Sequence, residues 1–61
     1  MWDLWFYREN VGWWLEESGF DTPADAAGHI EQFKIDHPDY NLPKYQFAIT
    51  PHGVPLAAPK G

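Results

Sequence analysis

The chain has 61 residues, enough for one domain at most. It contains no cysteine, which excludes disulfide bonds and thiolate zinc sites. Nine acidic residues against four basic ones give a formal net charge of −5, which excludes a phosphate-binding surface built from several cations. A chain of this size buries only about 60% of its unfolded surface, so its aromatic rings are expected to supply most of the core.

The first predicted element is a strand over residues 2–8, with aromatic rings on both of its faces. Its side chains alternate in two sets: Trp2, Leu4 and Phe6 on one face, and Asp3, Trp5 and Tyr7 on the other. Residues 9–12 predict a turn, because Asn10 and Gly12 tolerate positive φ. A second strand is predicted over residues 13–17, ending at Ser18 and Gly19.

The register of this hairpin decides which side chains share a face. A four-residue loop gives three pairs: Arg8 with Trp13, Tyr7 with Trp14, and Phe6 with Leu15. We expect this register because it places Leu15 beside Phe6 in the core and keeps Glu16 off that face. A three-residue loop, starting at Asn10 or using Gly12 as a bulge residue, is the alternative.

The clearest local pattern is the start of a helix over residues 23–37. Thr22 is predicted to cap this helix, Pro23 suits its first position, Asp25 has the capping-box spacing, and Pro38 stops it. Helical periodicity predicts an apolar face of Ala26, Ala27, Ile30, Phe33 and His37. The opposite, solvent-facing side is predicted to hold Asp25, His29, Gln32 and Asp36.

Residues 45–50 alternate as a half-buried third strand, and a compact domain over residues 1–53 is followed by an extended Pro-rich tail, residues 54–61. The predicted fold is α+β with the order ββαβ. Its three-stranded antiparallel sheet has the order 2-1-3, with the helix packed on one face. The predicted core is Leu4, Phe6, Leu15, Ile30, Phe33, Tyr45, Phe47 and Ile49.

The predicted register places Trp5, Tyr7 and Trp14 together on the sheet face away from the helix, beside the small Ala48. Exposed aromatic patches usually bind something, and Trp and Tyr are enriched at interface hot spots. We therefore expect a small non-enzymatic interaction module that binds a protein partner, or itself as a homodimer, through this aromatic face. Such modules occur among phage and accessory-element products that bind host machinery. Two structural interpretations compete: residues 54–56 cover the rings, or the two faces are inverted.

The acidic side chains suggest an alternative function, an inhibitor that mimics nucleic acid on a nucleic-acid-binding target. The residues concerned are Glu16, Glu17, Asp21, Asp25 and Asp36. The structural interpretation is that these charges only keep an aromatic-rich chain soluble. Direct binding of single-stranded nucleic acid is disfavoured, because base-stacking sheets normally have a basic groove.

No catalytic residue, cofactor or metal site is predicted. Glu16 and Glu17, as neighbours in a strand, are expected to point to opposite faces, and Ser18 has no evident base partner. The three histidines match no metal-ligand spacing. Without a leader-like or membrane-spanning segment, we expect a cytoplasmic protein with no membrane partner.

The run from Trp5 to Ala26 resembles the strand-strand-helix part of small integrase-arm and plant-type three-stranded DNA-binding domains. The resemblance is carried by residues 5–8, by Gly12-Trp13-Trp14, and by residues 19–26, where "GF-x-T" leads from the sheet into a covering helix. It implies the shape of the fold. Those domains present Arg and Lys on the sheet, whereas Arg8 is the only cation before this helix, so their function is not implied.

Overall fold

The computed structural model describes residues 1–54 and 56. Its elements are the strands β1 (Trp2–Arg8), β2 (Gly12–Phe20) and β3 (Tyr45–Pro51), the helix α1 (Pro23–Asp36), and a short 3-10 helix, Pro38–Asn41, between α1 and β3. The strands form one antiparallel sheet in the order β2-β1-β3, with α1 on one face. The predicted α+β fold and strand order are thus confirmed. Most of the predicted tail lies outside the described residues.

The hairpin register differs from the predicted one. The observed pairs are Arg8 with Gly12, Tyr7 with Trp13, and Phe6 with Trp14. The loop therefore comprises only residues 9–11, and β2 begins at Gly12, whose φ of 98° places it in the left-handed region. Because side chains alternate along a strand, this one-residue shift moves Trp13, Trp14 and Leu15 to the faces opposite those predicted.

Two β-bulges interrupt β2, where Glu16 and Gly19 are extra residues without a partner on β1. A bulge breaks the alternation of side chains. Glu16 Oε2 accepts a hydrogen bond from Trp14 Nε1 at 2.9 Å, and Glu17 Oε2 lies 3.7 Å from His29 Nε2 on α1. Both carboxylates therefore lie on the helix face, and the prediction that they point to opposite faces is wrong.

The helix begins and ends close to the predicted positions. Thr22 Oγ1 accepts a hydrogen bond from the backbone N–H of Asp25 at 3.1 Å, Pro23 is in the first turn, and His37 is the C-cap. Ala26 is fully buried, as its place on the apolar face predicted. These contacts depend on residues three or four positions apart, which explains why the sequence pattern located the helix.

Two positions on α1 differ from the predicted faces. His29, predicted to face solvent, is half-buried between Phe20 and Phe33, with ring centroids 5.2 Å and 5.3 Å away. Ala27, predicted on the apolar face, is exposed. The end of β2 carries Phe20 toward the helix, so the packed surface of α1 is turned toward His29.

No helix in the described residues is long and apolar enough to span a membrane.

The core is smaller than predicted and is centred on Phe6. Among the described residues, the buried apolar side chains are Leu4, Phe6 and Ala26. Four rings lie within 5.6 Å of the Phe6 ring between centroids: Trp14, Tyr40, Tyr45 and Phe47. Leu15 is not part of this core; it is 48% exposed because the observed register turns it away from α1.

Candidate functional site

The face of the sheet opposite α1, which we call the open face, presents four large apolar side chains: Trp5, Tyr7, Trp13 and Leu15. Tyr7 and Trp13 are cross-strand partners whose ring centroids lie 5.2 Å apart. Trp5 lies between Leu15 on β2 and Ala48 on β3. The open face therefore carries an apolar strip on β1 and β2 that borders Ala48 on β3.

The structure brings together two of the three residues predicted for this face and separates the third. Trp5 and Tyr7 lie on the open face, but Trp14 packs edge-on against Phe6 on the helix face, with centroids 4.9 Å apart and an interplanar angle of 79°. The predicted placement of Trp14 is wrong because it followed from the shifted register. Trp13 takes its place; the signal that could have found this was Gly12, used as the left-handed first residue of β2.

One end of the open face is bordered by the turn after β3. Asp3 is only 4% exposed, and its carboxylate accepts hydrogen bonds from His52 Nδ1 at 2.9 Å and from the Gly53 N–H at 3.4 Å. The hydrogen bond from His52 is the main reason that the pKa of Asp3 lies below its ordinary value, against the opposing effect of burial. The backbone N–H of His52 also donates to the Met1 carbonyl at 2.9 Å. The sequence pattern gave no signal for this Asp3–His52 pair, because its two residues are 49 positions apart.

A second group of hydrogen bonds holds the same turn against Trp5. Trp5 Nε1 donates to Thr50 Oγ1 at 2.9 Å, and Thr50 Oγ1 donates to the Val54 carbonyl at 3.2 Å. Val54 lines a shallow depression with Trp5 and Leu15, and it remains 48% exposed. Val54 therefore lies beside one end of the strip, and the depression that it lines does not include Tyr7 or Trp13. Pro55, which the covering interpretation also involves, lies outside the described residues.

The helix face contains a second concave feature, which we call the aromatic cleft. It has a volume of about 260 Å³ and lies between β2 and the C-terminal end of α1. Its lining consists of Phe6, Trp14, Glu16, Phe33, His37, Tyr40 and Phe47. Trp14 and Glu16 lie two positions apart in β2, so they share the helix face, where the Trp14 indole donates to the Glu16 carboxylate. The cleft is aromatic on most sides and carries one carboxylate.

The five acidic residues of the alternative function are all exposed, but they do not form one cluster. Asp21 and Asp25 flank the N-cap of α1, whereas Asp36 is about 16 Å farther along the helix axis. Glu17 faces His29 in the middle of α1, and Glu16 lines the aromatic cleft. The negative charge is thus spread along the helix.

Among the described residues, no group of three or more His, Asp or Glu side chains is placed to hold a metal ion. Comparisons of the chain with protein-family models, curated proteins and solved structures find no match. The described residues form two candidate binding surfaces, the open face and the aromatic cleft.

Proposed function

We propose that the protein is a non-enzymatic, cytoplasmic interaction module that binds protein through its open face. The observation that carries this proposal is the apolar strip of Trp5, Tyr7, Trp13 and Leu15 on a sheet face that the helix does not cover. Trp and Tyr are the side chains most enriched at binding hot spots. A half-exposed strip of this kind is typical of an interface.

The occupant that fits this face best is a second copy of the chain. The strip carries no charged side chain, and the carboxylate of Asp3 at its edge is buried and already paired with His52. Two open faces can therefore pack together around a two-fold axis without burying an unpaired charge. The net charge of −5 opposes this approach only at longer range.

The small core gives a thermodynamic reason for self-association. Three apolar side chains are buried among the described residues, and no disulfide reinforces them. Domains of this size often gain the missing burial by forming oligomers. Packing Leu15, now 48% exposed, against a second sheet would remove apolar surface from water without changing the fold.

A matched pair of substitutions tests the proposal by sedimentation equilibrium over a range of protein concentrations. Leu15 and Leu42 are each 48% exposed, but Leu42 follows the 3-10 helix and is not part of the open face. Leu15→Lys should weaken the dimer by about 30-fold or more, because it places a charge in the interface. Leu42→Lys makes the same change of charge and should leave the dimer intact.

The neighbouring tryptophans provide an independent pair. Trp13→Ala should dissociate the dimer, whereas Trp14→Phe alters the other face and should not; circular dichroism checks that each variant is folded. A wild-type chain that is monomeric throughout the concentration range would overturn the choice of occupant. If Leu15→Lys and Leu42→Lys weakened the dimer equally, the open face would not be the dimer interface.

A further inference from the structure

The aromatic cleft combines ring faces with a carboxylate, which are the two kinds of group that bind an organic cation. Glu16 is the acidic group in its lining, and the rings are those of Phe6, Trp14, Phe33, His37, Tyr40 and Phe47. We infer that the aromatic cleft binds the guanidinium group of an arginine side chain on a basic protein partner. This inference goes beyond the proposed function, because the cleft lies on the opposite face of the sheet from Trp13 and Leu15.

One hydrogen bond within β2 orients the carboxylate of Glu16. Trp14 Nε1 donates to Glu16 Oε2 at 2.9 Å, so the indole holds the carboxylate at the wall of the cleft. Oε1 accepts no hydrogen bond from the described residues. A guanidinium group offers several N–H donors in one plane, so it can donate to Glu16 while its flat face lies on a ring.

Arginine fits this combination better than other cations. A trimethylammonium group would satisfy the rings but has no N–H to donate to Glu16, and the ammonium of lysine has no flat face to stack. The volume of about 260 Å³ is below the roughly 300 Å³ at which small-molecule pockets begin. The cleft is therefore suited to one side chain that enters from a partner.

One ring of the cleft lining, that of Phe47, already lies near a cation of the protein itself, because Lys34 Nζ is 6.0 Å from its centroid. Lys34 is not part of the cleft lining. The net charge of −5 would also steer a basic partner toward the protein.

Nuclear magnetic resonance of the ¹⁵N-labelled chain can test the inference, because the indole N–H of Trp14 reports on the cleft and that of Trp13 on the open face. The probe is the peptide acetyl-Gly-Arg-Gly-amide. Its matched control has citrulline, an uncharged residue of nearly the same shape, in place of arginine. Arginine should shift the Trp14 signal, assigned from a Trp14→Phe variant, with an affinity about tenfold above that of citrulline. The Trp13 signal should not move.

Two exposed carboxylates give the protein-side control. Glu16→Gln should weaken arginine binding about tenfold, whereas Glu31→Gln on the exposed side of α1 should leave it unchanged. Equal shifts with arginine and citrulline, or unchanged binding to Glu16→Gln, would overturn the inference. Equal binding of the corresponding lysine peptide would overturn the choice of guanidinium. Because the readout is Trp14 and not oligomeric state, this result is independent of the proposed dimer.

Discussion

Asp3 is the one buried charged side chain among the described residues, and its pairing makes stability depend on pH. The hydrogen bond from His52 lowers the folded-state pKa of Asp3 below its value in an unfolded chain. Ionised Asp3 therefore favours the folded state above the unfolded pKa, and this contribution is lost as the pH falls through the lowered folded pKa. Acid should consequently loosen the corner at which β1 meets the turn after β3.

Chemical denaturation at several pH values tests this expectation. The denaturation midpoint of the wild-type chain should fall as the pH is lowered from about 5 to about 2. Asp3→Asn should have a lower midpoint at neutral pH and a weaker dependence on pH, because the substituted amide no longer titrates. Glu31→Gln removes an exposed carboxylate and serves as the control. An Asp3→Asn variant with the wild-type pH dependence would contradict the role given to this pair.

At the scale of secondary structure, Thr22 provides a direct test of what starts α1. Its side chain caps the helix through the N–H of Asp25, and Ala26 is the one buried side chain of α1. Thr22→Ala should lower the free energy of unfolding by about 1 kcal/mol, whereas Thr22→Ser should retain most of the cap. Urea denaturation monitored by circular dichroism measures both. Equal losses in the two variants would show that the hydroxyl is not the stabilising group.

Gly12 decides the hairpin register, since it starts β2 with a φ of 98°. Gly12→Ala forces a Cβ into the left-handed region and should cost about 1–2 kcal/mol of stability. Asn10 has a φ of 72°, so Asn10→Gly should be tolerated or slightly stabilising. The same denaturation experiment compares the two. A harmless Gly12→Ala would indicate that the loop can adopt the longer, four-residue form.

The sequence predicted those features that depend on neighbours a few positions apart. The cap at Thr22, the stop at Pro38 and the alternation of β3 are all of this kind, and together with the strand order they define the fold. The arrangement of side chains in the candidate site depended on the hairpin register and on the bulges in β2. One left-handed residue, Gly12, decided which of Trp13 and Trp14 lies on each face, and one bulge at Glu16 put Glu17 on the same face as Glu16. Neither has an unambiguous local pattern, because hairpin loops of three and four residues are both common.

At the scale of the whole molecule, the sheet separates two surfaces with opposite electrostatic requirements. Two copies that meet through the uncharged open face carry a net charge of −5 each, so salt should strengthen their association by screening repulsion. Arginine binding at Glu16 joins opposite charges, so salt should weaken it. Raising sodium chloride from about 50 mM to about 500 mM should therefore change the two affinities in opposite directions.

Sedimentation equilibrium and the arginine-peptide titration, run on the same protein in the same buffers, measure these two responses. Dimerisation that weakens with salt would mean that charged groups, and not the apolar strip, hold the copies together. Arginine binding that does not respond to salt would mean that the rings bind the side chain without Glu16. The acidic-mimic alternative predicts a further, salt-sensitive partner that Leu15→Lys does not affect.

The hydrogen bond from His52 to the Met1 carbonyl brings the first residue of the fold next to the turn that follows its last strand. Over residues 1–54, the described chain therefore returns close to its first residue. Tyr7 lies on β1 about 17 Å from the Met1 end of the strand, at the end of the sheet where the hairpin turns. A fusion partner or a tether attached beside Met1 would thus leave the Tyr7–Trp13 end free. Attachment of the protein to a surface through a group beside Met1 would therefore present the Tyr7–Trp13 end outward.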